Sequence, residues 1–399
     1  MKRTFLILIV AMLVHTTATA QQALWGGQDI ISPEIHANNT VTFRLMAPQA
    51  TKVEITGDFL PTQKRQTPMG EMDAPGVVEL TKNANGVWEF TTPAPLAPEL
   101  YSYSLIVDGV SVTDPSNVYM IRDVASVTSV FIIGGGRADL YKVNNVPHGT
   151  VARRWYDSPK LNMTRRITIY TPPGYETSNA QYPVFYLLHG AGGDEEAWIA
   201  LGRTSQILDN LIAQGKAKPM IVVMTNGNVS QKAAAGEWER GMTKPSLWAD
   251  TRMDGEFEAA FPDVMNFVES NYRTSKTKAG RAIAGLSMGG FHSFHISKEY
   301  PDKFDYVGLF SSAFGVNQNA TSPIYANSDE KLKTQFATPP KLYWIACGVT
   351  DFLYQANLDY CKKLADNKYP YKYYETDGGH IWKNWRIYLT EFAPMLFQN

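Results

Sequence analysis

Two rhythms of apolar and polar positions run along the chain, and one replaces the other near residue 135. From about Leu24 to Ile133, apolar residues recur at every second position, as in Val41, Phe43, Leu45 and again in Tyr101, Tyr103, Leu105, Val107. A period of two places one set of side chains on a single face of a strand, so these segments predict half-buried β-strands. Asp108-Gly109 stands between two such runs and predicts a two-residue hairpin, while Pro and Gly punctuate the rest at short intervals. The pattern predicts a small all-β sandwich over residues 21–135. Gly134-Gly135-Gly136 then marks a flexible joint, with a linker over residues 136–150.

Over residues 151–399, short continuous apolar runs alternate with helix-length amphipathic segments. The runs are Arg166 to Tyr170, Val184 to Leu188, Met220 to Met224, Ala282 to Leu286, Tyr306 to Phe310, Leu342 to Cys347 and Tyr371 to Glu375. Strands alternating with helices predict an α/β domain with a doubly wound, mostly parallel sheet covered on both faces. Ligands in such sheets bind outside the carboxyl ends of the strands.

Composition narrows the function classes. Of 399 residues, 44% are hydrophobic and 19% charged, which excludes a disordered, collagen-like or coiled-coil chain. The 37 Lys and Arg balance 38 Asp and Glu, so there is no general pull toward nucleic acid or an anionic membrane. Residues 1–20 carry the pattern of an export signal: Lys2 and Arg3, the apolar run Phe5 to Val14, and Ala18-Thr19-Ala20 as a small-residue cleavage site. That run is too short to span a bilayer, so the expectation is an exported chain starting near Gln21, periplasmic or extracellular, without membrane insertion. Only Cys347 and Cys361 are present, too few for a disulfide scaffold; they either meet as a pair or sit as two buried small hydrophobes.

The chemistry starts at Gly285-Leu286-Ser287-Met288-Gly289-Gly290, between an apolar strand and a helix-length segment. A sharp strand-to-helix turn needs glycines flanking the nucleophile, because the backbone there is strained and closely packed. Such a turn lifts the Ser287 hydroxyl out of the sheet and aims the Met288 N–H at a developing oxyanion. A serine hydroxyl needs a general base, and in this fold the base follows the nucleophile in the chain. Of the seven histidines only His380 lies beyond the helix behind Ser287, in the loop Thr376-Asp377-Gly378-Gly379-His380. His292 and His295 are spaced for a metal, but no third ligand is evident, and packing is the better reading. The carboxylate that orients the imidazole is expected between serine and histidine, and Asp351 fits, closing the apolar run after Gly348; Asp377 is the rival. A second oxyanion donor is expected from the Gly-rich loop Leu188-His189-Gly190-Ala191-Gly192-Gly193, with the N–H of Ala191, or that of Gly192, as partner to Met288.

Taken in order, these blocks resemble the esterase D superfamily of α/β-hydrolases, and within it the feruloyl and acetyl xylan esterases of carbohydrate esterase family one. The resemblance covers about residues 145–399. The preceding segment, with Asp114-Pro115-Ser116-Asn117, Arg122-Asp123-Val124 and Phe131-Ile132-Ile133-Gly134, resembles the early-set immunoglobulin-like domain found before many such esterases. The resemblance implies a Ser287, His380, Asp351 triad, oxyanion donors at Ala191 and Met288, no cofactor and no metal. It also implies an acylated plant cell-wall polysaccharide or oligosaccharide as substrate.

Specificity is less legible. Trp198, Trp238 and Trp382 lie in segments expected to leave the carboxyl end of the sheet, where each either walls a hydroxycinnamoyl ring or a xylose unit, or packs a loop against the body. The β domain is expected to brace the catalytic domain rather than to bind carbohydrate. Rival readings are a siderophore trilactone esterase and a non-catalytic glycan-binding protein. The near-neutral charge disfavours the first, and the intact triad candidates disfavour the second.

Overall fold

A computed structural model describes residues 30–67, 70–242, 253–315 and 321–398. The export pattern at residues 1–20, and the start near Gln21, lie outside the described residues. The first part of the chain forms two packed antiparallel sheets. One contains Glu34–Ile35, Val41–Met46, Val87–Thr91 and Thr81–Lys82, and the other is built around Glu99–Val107, flanked by Val53–Gly57 and Ser126–Ile133. The period-two residues meet between them: Val41, Phe43, Leu45, Tyr103 and Leu105 share one core with Trp88, Phe131 and Ile133. Asp108 and Gly109 both take positive φ, 46° and 88°, and turn the chain so that Val110 pairs with Val107, the hairpin predicted from that dipeptide.

The rest of the chain forms one eight-stranded sheet with the strands β1 (Thr150–Ser158), β2 (Met163–Thr171), β3 (Val184–Leu188), β4 (Ile221–Thr225), β5 (Arg281–Leu286), β6 (Tyr306–Phe310), β7 (Leu342–Gly348) and β8 (Lys372–Thr376). Their order across the sheet is β1-β2-β4-β3-β5-β6-β7-β8. From β4 to β8 every pair is parallel, while β1 and β2 run antiparallel at one edge. This is the α/β-hydrolase arrangement behind an all-β domain.

The continuous apolar runs follow from burial on both faces. Alternate residues of each strand belong to different cores: Phe185, Leu187, Ala282, Ala284 and Trp344 to one, Val184, Tyr186, Leu188, Ile283 and Ile345 to the other. The first core is covered by α1 (Ala197–Ala200), α2 (Thr204–Ala213) and a C-terminal helix over Trp382–Phe392. The second lies under α3 (Glu256–Asn271), α4 (Met288–Glu299), α5 (Ser328–Ala337) and α6 (Tyr354–Asp366). The Trp382–Phe392 helix is α7.

Two features depart from the sequence reading, and one open alternative closes. The β1 strand carries Arg153 and Arg154 and leaves Trp155 exposed, so it had no apolar run to announce it. The glycine triplet does not open a loose joint: Gly136–Tyr141 is a 3-10 helix whose Ala138 and Tyr141 are buried in the first core. Cys347 and Cys361 are free, buried thiols on different elements. Burial pushes both upward from the ordinary thiol value, Cys361 to about 12.

The sandwich is packed onto the α7 face of the hydrolase domain. Its Leu100, Ile121 and Val130 join the same core as Trp385 and Tyr388 of α7. At the centre, Arg386 of α7 donates to Glu99 Oε1 at 2.9 and 3.2 Å, to the Leu100 carbonyl at 3.0 Å and to the Leu201 carbonyl at 3.1 Å. Arg122 of the sandwich also pairs with Asp194, just beyond the Gly-rich loop. Removing one partner of a buried ion pair strands the other charge in a low dielectric, which is costlier than replacing both by apolar groups. Glu99→Gln is therefore expected to lower stability by about 3 kcal/mol. The double variant Glu99→Met, Arg386→Met should recover most of that loss. Thermal unfolding of the three chains checks this, and a single variant melting like the parent would contradict it.

Candidate active site

Ser287 sits between β5 and α4 with φ 54° and ψ −116°, a conformation that costs a non-glycine residue about 1–3 kcal/mol. Three hydrogen bonds hold it there. Its N–H donates to the Phe310 carbonyl at 2.9 Å, and its own carbonyl accepts from Phe291 at 3.0 Å and Ala313 at 3.1 Å. The flanking glycines are required by close approach rather than by φ. A side chain at Gly289 would overlap the carbonyl oxygens of Leu188 and His189, and one at Gly285 would overlap the backbone of Gly289. The turn is thus pressed against the end of β3, where the Gly-rich loop begins.

That loop is tied down from several sides. The Asn228 side-chain amide donates to the Gly193 carbonyl at 2.8 Å, the Gly193 N–H returns to the Gly190 carbonyl at 3.1 Å, and a Cβ at Gly190 would stand 3.3 Å from the Ser287 Cβ. Ala191 packs on a small apolar cluster with Met253, Met288, Phe291, Ala313 and Leu353, so the two expected oxyanion donors belong to adjoining segments. Met288 opens α4, and its N–H therefore has no acceptor within the helix.

His189 supports this loop from beneath. The Gly227 N–H donates to its Nε2 at 2.8 Å, and its Nδ1 lies 2.6 Å from the Gly190 carbonyl. One ring nitrogen must accept and the other donate, which fixes a neutral imidazole with its proton on Nδ1. Burial holds its pKa down at about 4. Below this site, buried Glu195 accepts from Arg166 at 2.7 Å, from the Ala234 N–H at 2.8 Å and from Asn226 at 3.1 Å.

Asp351 and His380 meet at the carboxyl ends of β7 and β8. His380 Nδ1 lies 2.9 and 3.1 Å from the two Asp351 oxygens, and the Leu353 N–H donates to the same carboxylate at 2.9 Å. The Asp351 carboxylate is fully buried, whereas the His380 ring keeps 18% exposure. Asp377 is exposed and is not the partner of the ring. Phe352 lies against one part of the imidazole at 4.6 Å between centroids, and Trp385 meets it edge-on at 4.9 Å and 87°. Asn384 holds the loop by donating to the Gly379 carbonyl at 2.9 Å. The imidazole is anchored through Nδ1, and no Ser287–His380 hydrogen bond is formed among the described residues. Hydrogen bonds of this type commonly tighten only when substrate is bound.

The three tryptophans divide. Trp198 is 1% exposed, its N–H donates to the Leu188 carbonyl at 2.9 Å, and its ring meets Phe310 and Trp382 edge-on. It is a strut under the Gly-rich loop, not a wall facing substrate. Trp382 is half-buried, packed between Trp198 and Trp385 and beside Asp123 of the sandwich. Trp238 lies over Gly241 in the loop leading to residues 243–252, which are outside the described residues. His292 pairs with buried Glu258 at 2.8 Å, and His295 packs among Phe291, Phe294 and Tyr325. Among the described residues no group of three His, Cys, Asp or Glu is placed to hold a metal.

Residues 158–396 match the family model described as "Putative esterase". The chain belongs to the esterase family. This is a family of carboxylic ester hydrolases, and residues 31–119 match carbohydrate-binding module 48, the isoamylase N-terminal domain. An endo-1,4-β-xylanase/feruloyl esterase of Xylanibacter ruminicola is 29% identical over 299 residues, 73% of this chain and 37% of that protein. The chain spans between 37% and 41% of the length of the first curated relatives it matches. Two solved structures share the fold. A ferulic acid esterase of Anaeromyces mucronatus is 24% identical at a TM-score of 0.54, covering 64% of this chain and 93% of that one. An enterobactin esterase of Shigella flexneri is 17% identical at a TM-score of 0.60, covering 90% of this chain and 93% of that one.

The neutral state of His189 gives the esterase a pH-dependent stability term. In the folded chain the ring stays neutral down to about pH 4, whereas the unfolded chain takes up the proton below about 6.5. This contribution is complete above about pH 6.5 and is lost as the pH falls toward 4, about 2–4 kcal/mol in all. Urea unfolding at pH 7 and 4.5 should show a markedly smaller drop for His189→Gln than for the parent. Equal drops would contradict the assignment.

Proposed function

We propose that this esterase removes feruloyl (hydroxycinnamoyl) or acetyl groups from xylan-type polysaccharide through an acyl-enzyme on Ser287. The observation that carries the mechanism is the buried Asp351 carboxylate on His380 Nδ1, at the same end of the sheet as the strained serine turn. His380 takes the Ser287 proton as the hydroxyl attacks the ester carbonyl. The N–H groups of Met288 and Ala191 receive the oxyanion, where one such donor is typically worth about 10²–10³ in rate. His380 then gives the proton to the leaving alcohol. Water, deprotonated by the same ring, attacks the acyl-serine, and the ring returns that proton to Ser287 Oγ as its bond to the acyl carbon breaks and the acid is released. Asp351 fixes the ring orientation and stabilises the imidazolium without taking its proton.

The substrate class rests on two likenesses: the xylanase/feruloyl esterase relative, and the carbohydrate-binding module matched by the sandwich. The export pattern at residues 1–20 supports a periplasmic or extracellular location, where plant polysaccharide is met. No helix of the described residues is long and apolar enough to cross a membrane. A siderophore trilactone esterase is the second reading, favoured by the fold of the enterobactin esterase over both domains.

The test is product release, measured by chromatography. Feruloylated arabinoxylan, acetylated xylan and a catecholate trilactone are offered to the chain in parallel. Ferulate or acetate should appear from the polysaccharides, with little hydrolysis of the lactone. Release from the lactone alone would overturn the polysaccharide assignment.

A further inference from the structure

Phe352 is the most conspicuous side chain next to His380 that the mechanism leaves unused. It directly follows Asp351, is 59% exposed, and keeps its ring 4.6 Å from the imidazole at a 50° tilt. Ile381, the residue after His380, is also exposed. Nothing in this loop forces a large apolar residue into water. The backbone of the segment is set elsewhere, by Asp351 N–H donating to the Gly348 carbonyl and Leu353 N–H to the Asp351 carboxylate. Leu353 turns inward to the apolar cluster beside Met288, so the chain buries one neighbour and leaves Phe352 at the rim.

Its place relative to the reaction says which half of an ester it would meet. The acyl carbon must lie over Ser287, with its oxygen toward the Ala191 and Met288 N–H groups. The leaving oxygen must lie toward the nitrogen of His380 that returns the proton, which is Nε2, because Nδ1 is held by Asp351. The surface flanking the imidazole on its exposed side is therefore the surface that meets the alcohol. We propose that Phe352 forms a stacking subsite for a sugar ring on the alcohol side of the ester. This rests on the polysaccharide reading above and adds where the sugar is held. A pyranose or furanose presents a face of C–H groups that packs on an aromatic ring, while its hydroxyls stay in water. An exposed ring suits such a ligand better than a buried slot.

The experiment compares kcat/KM for feruloylated arabinose and for methyl ferulate, which share the acyl group and differ in the sugar. Phe352→Ala and Phe352→Leu should lower the ratio of sugar ester to methyl ester about tenfold, chiefly through KM for the sugar ester. Phe352→Tyr, which keeps the ring, should restore the ratio. Leu retains apolar bulk against His380, so a loss in Leu that Tyr restores separates a stacking surface from a prop for the imidazole. The proposal is overturned if both esters lose activity in parallel, which would make Phe352 a positioning residue, or if the ratio stays unchanged in every variant. A parent chain that cleaves methyl ferulate with no preference for the sugar ester overturns the subsite alone. One that cleaves neither ester and releases no acetate from acetylated xylan overturns the polysaccharide reading as well.

Discussion

The site is organised by a close approach of two backbones. The turn at Ser287 and the end of β3 come so near that residue 289 cannot carry a side chain, and the backbone of residue 289 in turn bars one at residue 285. The serine between them is held in a conformation that its own φ and ψ preferences oppose. The surrounding hydrogen bonds keep it there, from β6 through Phe310 and from the following loop through Ala313. Because the same approach places the Gly-rich loop beside Met288, the proposed nucleophile and both proposed oxyanion donors depend on one packing contact. Loosening it would displace them together.

A second set of contacts reaches the proposed general base. Trp198, Trp382, Trp385 and His380 form a ladder of nearly perpendicular rings with centroids 5.4, 5.1 and 4.9 Å apart. One end bonds to the carbonyl that closes β3, and the other orients the imidazole. The helix that carries Trp382 and Trp385 also carries Arg386, whose buried partner Glu99 belongs to the β-sandwich. The sandwich is thus continuous with the support of the His380 loop through the packed 3-10 segment and the α7 face. Bracing, the role expected for it because no surface row of aromatics stands out in the sequence, has a physical route in this interface.

Much of this was legible from the chain. Runs such as Val184 to Leu188 and Tyr306 to Phe310 read as buried strands because both faces of the sheet are covered, and period two in Val41, Phe43 and Leu45 read as a one-sided sheet. The glycines around Ser287 and the acid closing β7 carried their chemistry in local order. The unread parts have no local signature. The β1 strand is a polar edge, and Trp198 looks the same in sequence whether it faces substrate or a carbonyl. Glu99 and Arg386 lie 287 positions apart. Phe352 and Trp385 acquire meaning only because the loops after β7 and β8 fold over the same imidazole.

The central claim is that one serine, activated by His380, carries the acyl group. It is tested most directly by mass spectrometry of the intact and digested chain after treatment with a fluorophosphonate. The account requires a single phosphonyl adduct on the peptide bearing Ser287, absent in Ser287→Ala. An adduct on any other residue, or undiminished labelling of Ser287→Ala, would contradict it.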